Sequence, residues 1–140
     1  MGALFEDFLP YIKGTQKELK IWKEMASRYF PGALTLVLPA QETKAKQLNP
    51  LTPTTIGIRI PDLQIARDIL SKTNPLATTS ANLSGFPPLR KMDDIAKEFS
   101  DVLTLKSNKI SPIIGSGLPS TVAKWTGKDW QILRQGSVKL

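Results

Sequence analysis

Apolar and polar residues follow one another along this chain in blocks that predict helices and strands in turn. Thr15 and Glu18 have the spacing of a capping box, and apolar residues at helical spacing after them predict a helix that reaches Phe30. Residues 33–38 (ALTLVL) are short, apolar and closed by a proline, which is typical of a buried strand. Residues 40–54 are polar and contain two prolines, so they predict a loop.

The next segments continue the alternation. Residues 55–60 predict a strand, and Asp62 is the expected N-cap of a helix whose apolar positions recur at helical spacing. A third strand is predicted at residues 75–79 and a further helix at residues 92–99. Shorter strand candidates follow at residues 102–105, 112–114, 121–125 and 131–133. The predicted fold class is therefore α/β (α+β), a twisted mixed sheet with helices on its faces in a single domain over residues 1–140.

One predicted strand has two chemically different faces. Thr55, Gly57 and Arg59 alternate with three isoleucines, so the isoleucines should face the core and the other three residues the opposite side. An Arg beside small residues leaves room for a ligand. The alternative is an Arg that pairs with a surface carboxylate.

Residues 78–85 (TTSANLSG) form a second candidate site. Their hydroxyls, the Asn82 amide and a flexible glycine can offer many hydrogen-bond donors to phosphate oxygens. The alternative is an ordinary turn held by Asn and Ser side chains. A third candidate site combines residues 117–121 (GLPST) with residues 134–136 (RQG) at the end of the last strand.

Composition narrows the chemistry. The chain contains no Cys and no His, which excludes disulfides, thiol nucleophiles, Ser-His-Asp triads and histidine catalysis. The net charge is +7, and the residues from Lys106 onward carry six basic side chains against Asp129 alone, or +5. This bias predicts an anionic partner, RNA or a nucleotide, with a solvated basic surface as the alternative. We find no long apolar run and no signal segment, and so expect a cytoplasmic location without a membrane partner.

Five motifs in order give the chain a family resemblance. They are residues 30–38 (FPGALTLVL), 57–62 (GIRIPD), 79–88 (TSANLSGFPP), 119–122 (PSTV) and 132–136 (ILRQG). Together they resemble the YrdC-like family of threonylcarbamoyl-AMP synthases over roughly residues 20–138. The resemblance implies a nucleotidyltransferase that joins L-threonine, bicarbonate and ATP into threonylcarbamoyl-AMP, releasing pyrophosphate, for the threonylcarbamoyladenosine modification of tRNA.

The same resemblance assigns ligand contacts by motif. ATP is expected to contact Thr55, Ser80, Asn82, Pro88 and Arg134, and threonine to contact Arg59, Thr78 and Ser120. Mg²⁺ is expected to arrive with ATP, and no protein metal site and no catalytic side chain are assigned. The residue chemistry agrees, because an Arg fork can hold a carboxylate and a second Arg can neutralise phosphate charge.

The chain departs from the family pattern at its start. It lacks the strand segment with a Pro-Thr-x-Thr-x-Tyr-Gly-Leu motif and the following Lys-x-Arg segment that grips the phosphates. Three hypotheses follow. The chain is a synthase, either unusually short or with a missing N-terminal portion supplied by a partner chain. Alternatively, it is an inactive relative that binds double-stranded RNA, tRNA or a nucleotide through its basic C-terminal quarter, or it is a protein-interaction module.

Overall fold

The computed structural model describes residues 1–48, 50, 53–105 and 117–140 of the chain. They belong to two compact units, Met1–Ala77 with Pro119–Leu140, and Thr78–Leu118. The larger unit contains α1 (Gln16–Tyr29), β1 (Leu34–Pro39), α2 (Glu42–Leu48), β2 (Thr55–Ile58), α3 (Gln64–Thr73), β3 (Thr121–Trp125) and β4 (Trp130–Arg134). A 3-10 turn over Phe5–Phe8 precedes α1. The smaller unit contains the helix α4 (Met92–Glu98).

The start of α1 confirms the predicted capping box. Thr15 Oγ1 accepts a hydrogen bond from the Glu18 amide at 3.3 Å, and Glu18 Oε2 accepts one from the Thr15 amide at 2.9 Å. The second Glu18 oxygen, Oε1, accepts a hydrogen bond from Trp125 Nε1 at 3.0 Å. One carboxylate therefore accepts a hydrogen bond from the N-cap amide of α1 and also joins this helix to β3.

The four strands form one mixed sheet in the order β2-β1-β3-β4. The central strand β1 runs antiparallel to β2 and parallel to β3, and β3 and β4 are antiparallel neighbours. The predicted mixed sheet with helices is confirmed. Because β1 and β3 are far apart in sequence, their parallel pairing brings two distant motifs side by side.

The hydrophobic core lies against one face of this sheet. Leu34, Leu36 and Leu38 of β1 have no exposed surface, and neither has Ile58 of β2. Helix α1 covers this face with Trp22, whose ring meets that of Trp125 edge to face with centroids 6.4 Å apart. The N-terminal segment adds three buried residues to the same core, namely Phe5, Phe8 and Ile12. Each such side chain contributes roughly 1.5–3 kcal/mol through burial.

Two predictions within the larger unit were wrong in detail. Residues 40–54 do not form a loop throughout, since α2 occupies Glu42–Leu48 and buries Ala45. Its sequence, ETKAKQL, is rich in strong helix formers. The two prolines lie beyond its last residue, so they do not prevent the helix from forming. The N-cap of α3 is Leu63 rather than Asp62, and the Asp62 carboxylate meets Arg67 at 3.4 Å instead.

The predicted strands at residues 75–79 and 102–105 are also wrong. Neither segment pairs with a strand of the described residues, although both have strand-like composition. Strand-forming residues are favoured where they pack against neighbouring strands on a half-buried sheet. Distant segments of the chain supply those strands, so composition alone does not decide whether a segment joins the sheet. The candidate at residues 112–114 lies outside the described residues. The helix at 92–99 and the last two strands are confirmed.

Within the described residues, no helix combines the length and the apolar character needed to cross a membrane.

We predict that Glu18→Gln lowers the stability of the fold at neutral pH by about 1 kcal/mol, because Gln has a single acceptor oxygen and cannot serve both the Thr15 amide and the Trp125 indole. Hydrogen bonds from Thr15 and Trp125 lower the pKa of Glu18 below its ordinary value of 4.5. A carboxylate whose pKa is lowered by folding stabilises the fold above its unfolded-state pKa, and this contribution is lost as pH falls through its folded-state pKa. The difference in thermal midpoint between wild type and variant should therefore disappear in acid.

Glu24→Gln is the matched control, because Glu24 is exposed on the same helix and its carboxylate accepts no hydrogen bond from the described residues. Thermal unfolding followed by circular dichroism across the acid range separates the two variants. Equal midpoints for Glu18→Gln and Glu24→Gln at neutral pH would contradict the role given to Glu18.

Candidate functional site

The face of the sheet opposite the core carries the polar positions, and we call it the outer face. Strand register places these residues on it: Thr35, Val37, Thr55, Gly57, Val122, Lys124 and Arg134. The prediction for β2 is confirmed, since Ile58 and Ile60 are buried, Ile56 packs against the core, and Gly57 is exposed on the other side. Gly57 leaves this face without a side chain beside Val37.

A β-bulge decides which way Arg134 points. The ladder pairs Ala123 with Ile132 but Val122 with Arg134, so β4 contains one extra residue at this step. In a regular ladder Val122 would pair with Leu133, and Arg134 would face the core side of the sheet. The bulge therefore turns the guanidinium to the outer face, as bulges beside functional sites often do.

The first group of contacts on this face joins Thr35, Ser120 and Arg134. Arg134 Nε donates to the Ser120 carbonyl at 3.1 Å, and Arg134 Nη2 donates to Ser120 Oγ at 3.2 Å. Ser120 Oγ also lies 3.0 Å from Thr35 Oγ1. If Thr35 donates as well, both lone pairs of the Ser120 oxygen are occupied and its own hydrogen is directed outward. Ser120, which is buried, then acts as a donor toward a ligand.

The second arginine of the outer face is Arg59. Its Nε donates to the Gly32 carbonyl at 3.1 Å, and its two Nη groups make no hydrogen bond to the described residues, which suits them to a planar, bidentate contact with a ligand. Burial first, and then the neighbouring charge of Arg134, lower the pKa of the Arg59 guanidinium, which remains a cation at neutral pH. Among the described residues no carboxylate pairs with Arg59 or Arg134. Two unneutralised guanidinium groups this close favour an anionic ligand.

The chain after β4 fixes the position of Arg134. The hydroxyl of Thr121, which has no exposed surface, accepts hydrogen bonds from the Gly136 amide at 3.0 Å and the Val138 amide at 3.2 Å. A Cβ atom at Gly136 would overlap the backbone of residues 119–121, so only glycine allows this approach. The motif Pro119–Thr121 and the segment after Arg134 are thus locked together.

The smaller unit contains the hydroxyl-rich loop. Both Asn82 Nδ2 hydrogens are used inside the loop, on the carbonyls of Leu83 at 2.9 Å and Phe86 at 3.0 Å. The buried Asn82 Oδ1 accepts no hydrogen bond from the described residues, and Gly85 has a φ of 85°. This geometry gives Asn82 a role in shaping the loop, as in the turn alternative. Thr78, Ser80 and Pro88 are exposed in the same unit.

The predicted site residues thus divide between the two units. Arg59, Ser120 and Arg134 converge on the outer face of the larger unit, and Thr55 lies on the same face at the far end of β2. Thr78, Ser80, Asn82 and Pro88 belong to the smaller unit.

Two residues of the outer face were not singled out as site residues from the sequence. Thr35 is the one polar residue of the apolar run at residues 33–38, which was the available signal. Lys124 was treated only as part of a basic surface, and its place on this face follows from strand register.

The described residues contain no group of three or more Asp, Glu, Cys or His side chains that could hold a metal ion. The polar groups of the outer face are guanidinium, ammonium and hydroxyl groups, which suit anions rather than cations.

Comparison with curated proteins finds relatives with one shared name. Threonylcarbamoyl-AMP synthase of Bacillus subtilis is 32% identical over 125 residues, covering 83% of this chain and 33% of the relative. The Escherichia coli K12 protein of the same name is 31% identical over 100 residues, covering 71% of this chain and 52% of the relative. The rat protein of that name is 44% identical over 68 residues, covering 48% of this chain and 24% of the relative. The chain therefore spans between a quarter and about half of the length of these relatives.

Solved structures agree with the sheet architecture. P. abyssi Sua5 complexed with L-threonine superimposes with a TM-score of 0.74 at 29% identity, covering 96% of this chain and 38% of that one. Escherichia coli YciO gives a TM-score of 0.73 at 19% identity, covering 99% and 65%, and shows the shared fold. The family model of Sua5, YciO and YrdC, described as "Telomere recombination", matches residues 1–136. The chain accordingly belongs to the Sua5/YciO/YrdC family.

Proposed function

We propose that this chain forms threonylcarbamoyl-AMP from L-threonine, bicarbonate and ATP, as a step in the threonylcarbamoyladenosine modification of tRNA. The observation that carries the proposal is the convergence of Arg59, Arg134 and Ser120 on one face, where no carboxylate of the described residues pairs with either arginine. Relatives named threonylcarbamoyl-AMP synthase and a Sua5 structure holding L-threonine support the choice of ligand. A cytoplasmic location goes with this proposal.

In this proposal Arg59 holds the threonine carboxylate with its two Nη groups, and Ser120 donates a hydrogen bond to the same threonine. Arg134 neutralises phosphate charge. Its Nε and Nη2 groups contact Ser120, and its Nη1 group makes no hydrogen bond to the described residues. Thr55 adds an ATP contact on the same face of the larger unit. For Thr78, Ser80, Asn82 and Pro88 of the smaller unit, the ligand contacts stay predictions from the family motifs. A Lys-x-Arg segment from outside this sequence would add further phosphate contacts.

The reaction asks the protein for alignment and charge stabilisation. The threonine amine combines with bicarbonate to give a carbamate with loss of water. A carbamate oxygen then bonds to the α-phosphorus of ATP, and the bond to the bridging oxygen breaks to release pyrophosphate. Mg²⁺ would enter as MgATP, held by the phosphates, because the described residues offer it no carboxylate cluster. Fixed cations beside the α-phosphate stabilise the negative charge that develops there.

The proposal is tested by mixing the protein with ATP, Mg²⁺, L-threonine and bicarbonate, then measuring pyrophosphate and threonylcarbamoyl-AMP. We predict that Arg59→Ala lowers affinity for L-threonine at least tenfold and abolishes threonine-dependent pyrophosphate release. Each charge-assisted hydrogen bond lost is worth about 1.5–3 kcal/mol, and about 1.4 kcal/mol corresponds to tenfold.

Arg28→Ala is the control for this variant, because Arg28 is an exposed arginine in the last turn of α1, which covers the core face. It removes the same side chain from the other side of the sheet. Unchanged threonine affinity in Arg59→Ala, measured by calorimetric titration on folded protein, would refute the role of Arg59.

We further predict that Thr35→Val weakens threonine binding roughly two- to tenfold, because it removes the hydroxyl that orients Ser120. A neutral hydrogen bond contributes about 0.5–1.5 kcal/mol. Thr35→Ser should restore binding. The effect of Thr35→Val should also vanish in a Ser120→Ala background, since the orienting role acts only through Ser120. An equal loss in both backgrounds would point to a role in packing alone.

A second candidate function is RNA binding without catalysis. The observation that favours it is the concentration of charge, with +5 of the net +7 in residues 106–140. Lys128 and Lys139 are exposed in this part of the chain. This function predicts affinity for double-stranded RNA or tRNA that falls steeply with salt.

Lys128→Gln combined with Lys139→Gln should weaken RNA binding by a similar factor for every sequence, and should reduce its salt dependence. Filter binding at several salt concentrations measures both quantities. RNA affinity that does not change with salt would exclude this function.

A further inference from the structure

A third cation lies on the outer face, one step along β3 from the Arg134 contacts. Lys124 pairs with Val37 of β1 and with Gln131 of β4, whereas Val122 pairs with Thr35 and Arg134. Side chains two residues apart on a strand point to the same face, about 7 Å from one another. The burial pattern of β3 agrees, because residues 121, 123 and 125 are buried and Lys124 is not.

Lys124 has no anionic partner within the described part of the chain. The four strands contain no Asp or Glu, and their two charged residues, Lys124 and Arg134, both lie on the outer face. The ion pairs of the described residues join Lys23 to Glu6 and Arg67 to Asp62, and neither involves this face. Three cations are thus arranged on one surface, and no acidic side chain in the described part of the chain pairs with them: Arg59, Arg134 and Lys124.

The order of these cations along the sheet suggests how a long anion would lie. Arg59 and Arg134 are close enough for the charge of one to lower the pKa of the other. Under the proposed function the threonine carboxylate and the α-phosphate therefore meet at this end. Lys124 lies one step further along the sheet than Arg134, in the row that contains Val37 and Gly57. The remainder of a triphosphate bound at Arg134 can extend in this direction. Its flexible ammonium is a compact point charge, well suited to phosphate oxygens.

We propose that Lys124 binds the β- and γ-phosphates of the nucleoside triphosphate and, after the reaction, the pyrophosphate that leaves. This inference rests on the proposed function and adds to it a subsite for the distal phosphates. A ligand that lacks those phosphates does not use the subsite.

The test compares the affinities of ATP and AMP by calorimetric titration in the presence of Mg²⁺. Lys124→Gln should weaken ATP binding about tenfold, as expected for loss of one charge-assisted contact, and should change AMP binding less than twofold. Lys124→Arg should retain most of the ATP affinity. Lys20→Gln is the matched control, because Lys20 is exposed on α1, on the opposite side of the sheet, and the same charge is lost. It should change neither affinity.

Two results would overturn the inference. Equal ATP affinity in wild type and Lys124→Gln would show that the distal phosphates do not contact Lys124. Equal losses in Lys124→Gln and Lys20→Gln would reduce the effect to the net charge of the protein. In both cases the proposed function would stand if Arg59→Ala still lost threonine binding. Conversely, a selective loss of ATP affinity without any threonylcarbamoyl-AMP formed would support the subsite and refute the synthase activity.

Discussion

Thr121 makes the connections on which the outer face depends. Its amide donates to the Ala33 carbonyl at 2.9 Å, which fastens the start of β3 to the start of β1. Its hydroxyl accepts from the amides of Gly136 and Val138, which fastens the chain after β4 to the same point. Because Thr121 is fully buried, an unmatched hydroxyl there would cost about 1–3 kcal/mol, so these contacts are strongly favoured together. They place Ser120 beside Thr35 and keep Arg134 beside Ser120.

Local sequence signals were sufficient at the start of α1 and along β2. The capping box at Thr15 and the alternation of residues 55–60 were both readable, because a cap and a strand face are set within a few residues. Residues 75–79 have strand composition but no strand partner among the described residues, and pairing is decided by distant segments. The missed helix α2 is different. Its composition favours a helix, and the two prolines that predict a loop lie beyond its last residue.

The same distinction applies to the site. Arg59, Ser120 and Arg134 were predicted as ligand residues from motifs. The sequence near Arg134 does not predict the β-bulge that turns its side chain to the outer face. A one-residue slip in register would exchange the two faces of β4. The contact between Thr35 and Ser120 joins residues 85 positions apart, so only the parallel pairing of β1 with β3 reveals it. The sequence therefore predicts single ligand residues, but it does not predict which of them lie close together in the fold.

The contacts of Ser120 also indicate what kind of chemistry this face can support. Arg134 donates to Ser120 Oγ, which withdraws electron density from that oxygen, and the chain has no His to remove its proton. Ser120 is therefore suited to donate a hydrogen bond and poorly suited to act as a nucleophile. Transfer to an α-phosphate by a substrate carbamate needs no protein nucleophile, since fixed cations and alignment lower its barrier. A face of guanidinium, ammonium and hydroxyl groups thus meets the requirements of such a transfer.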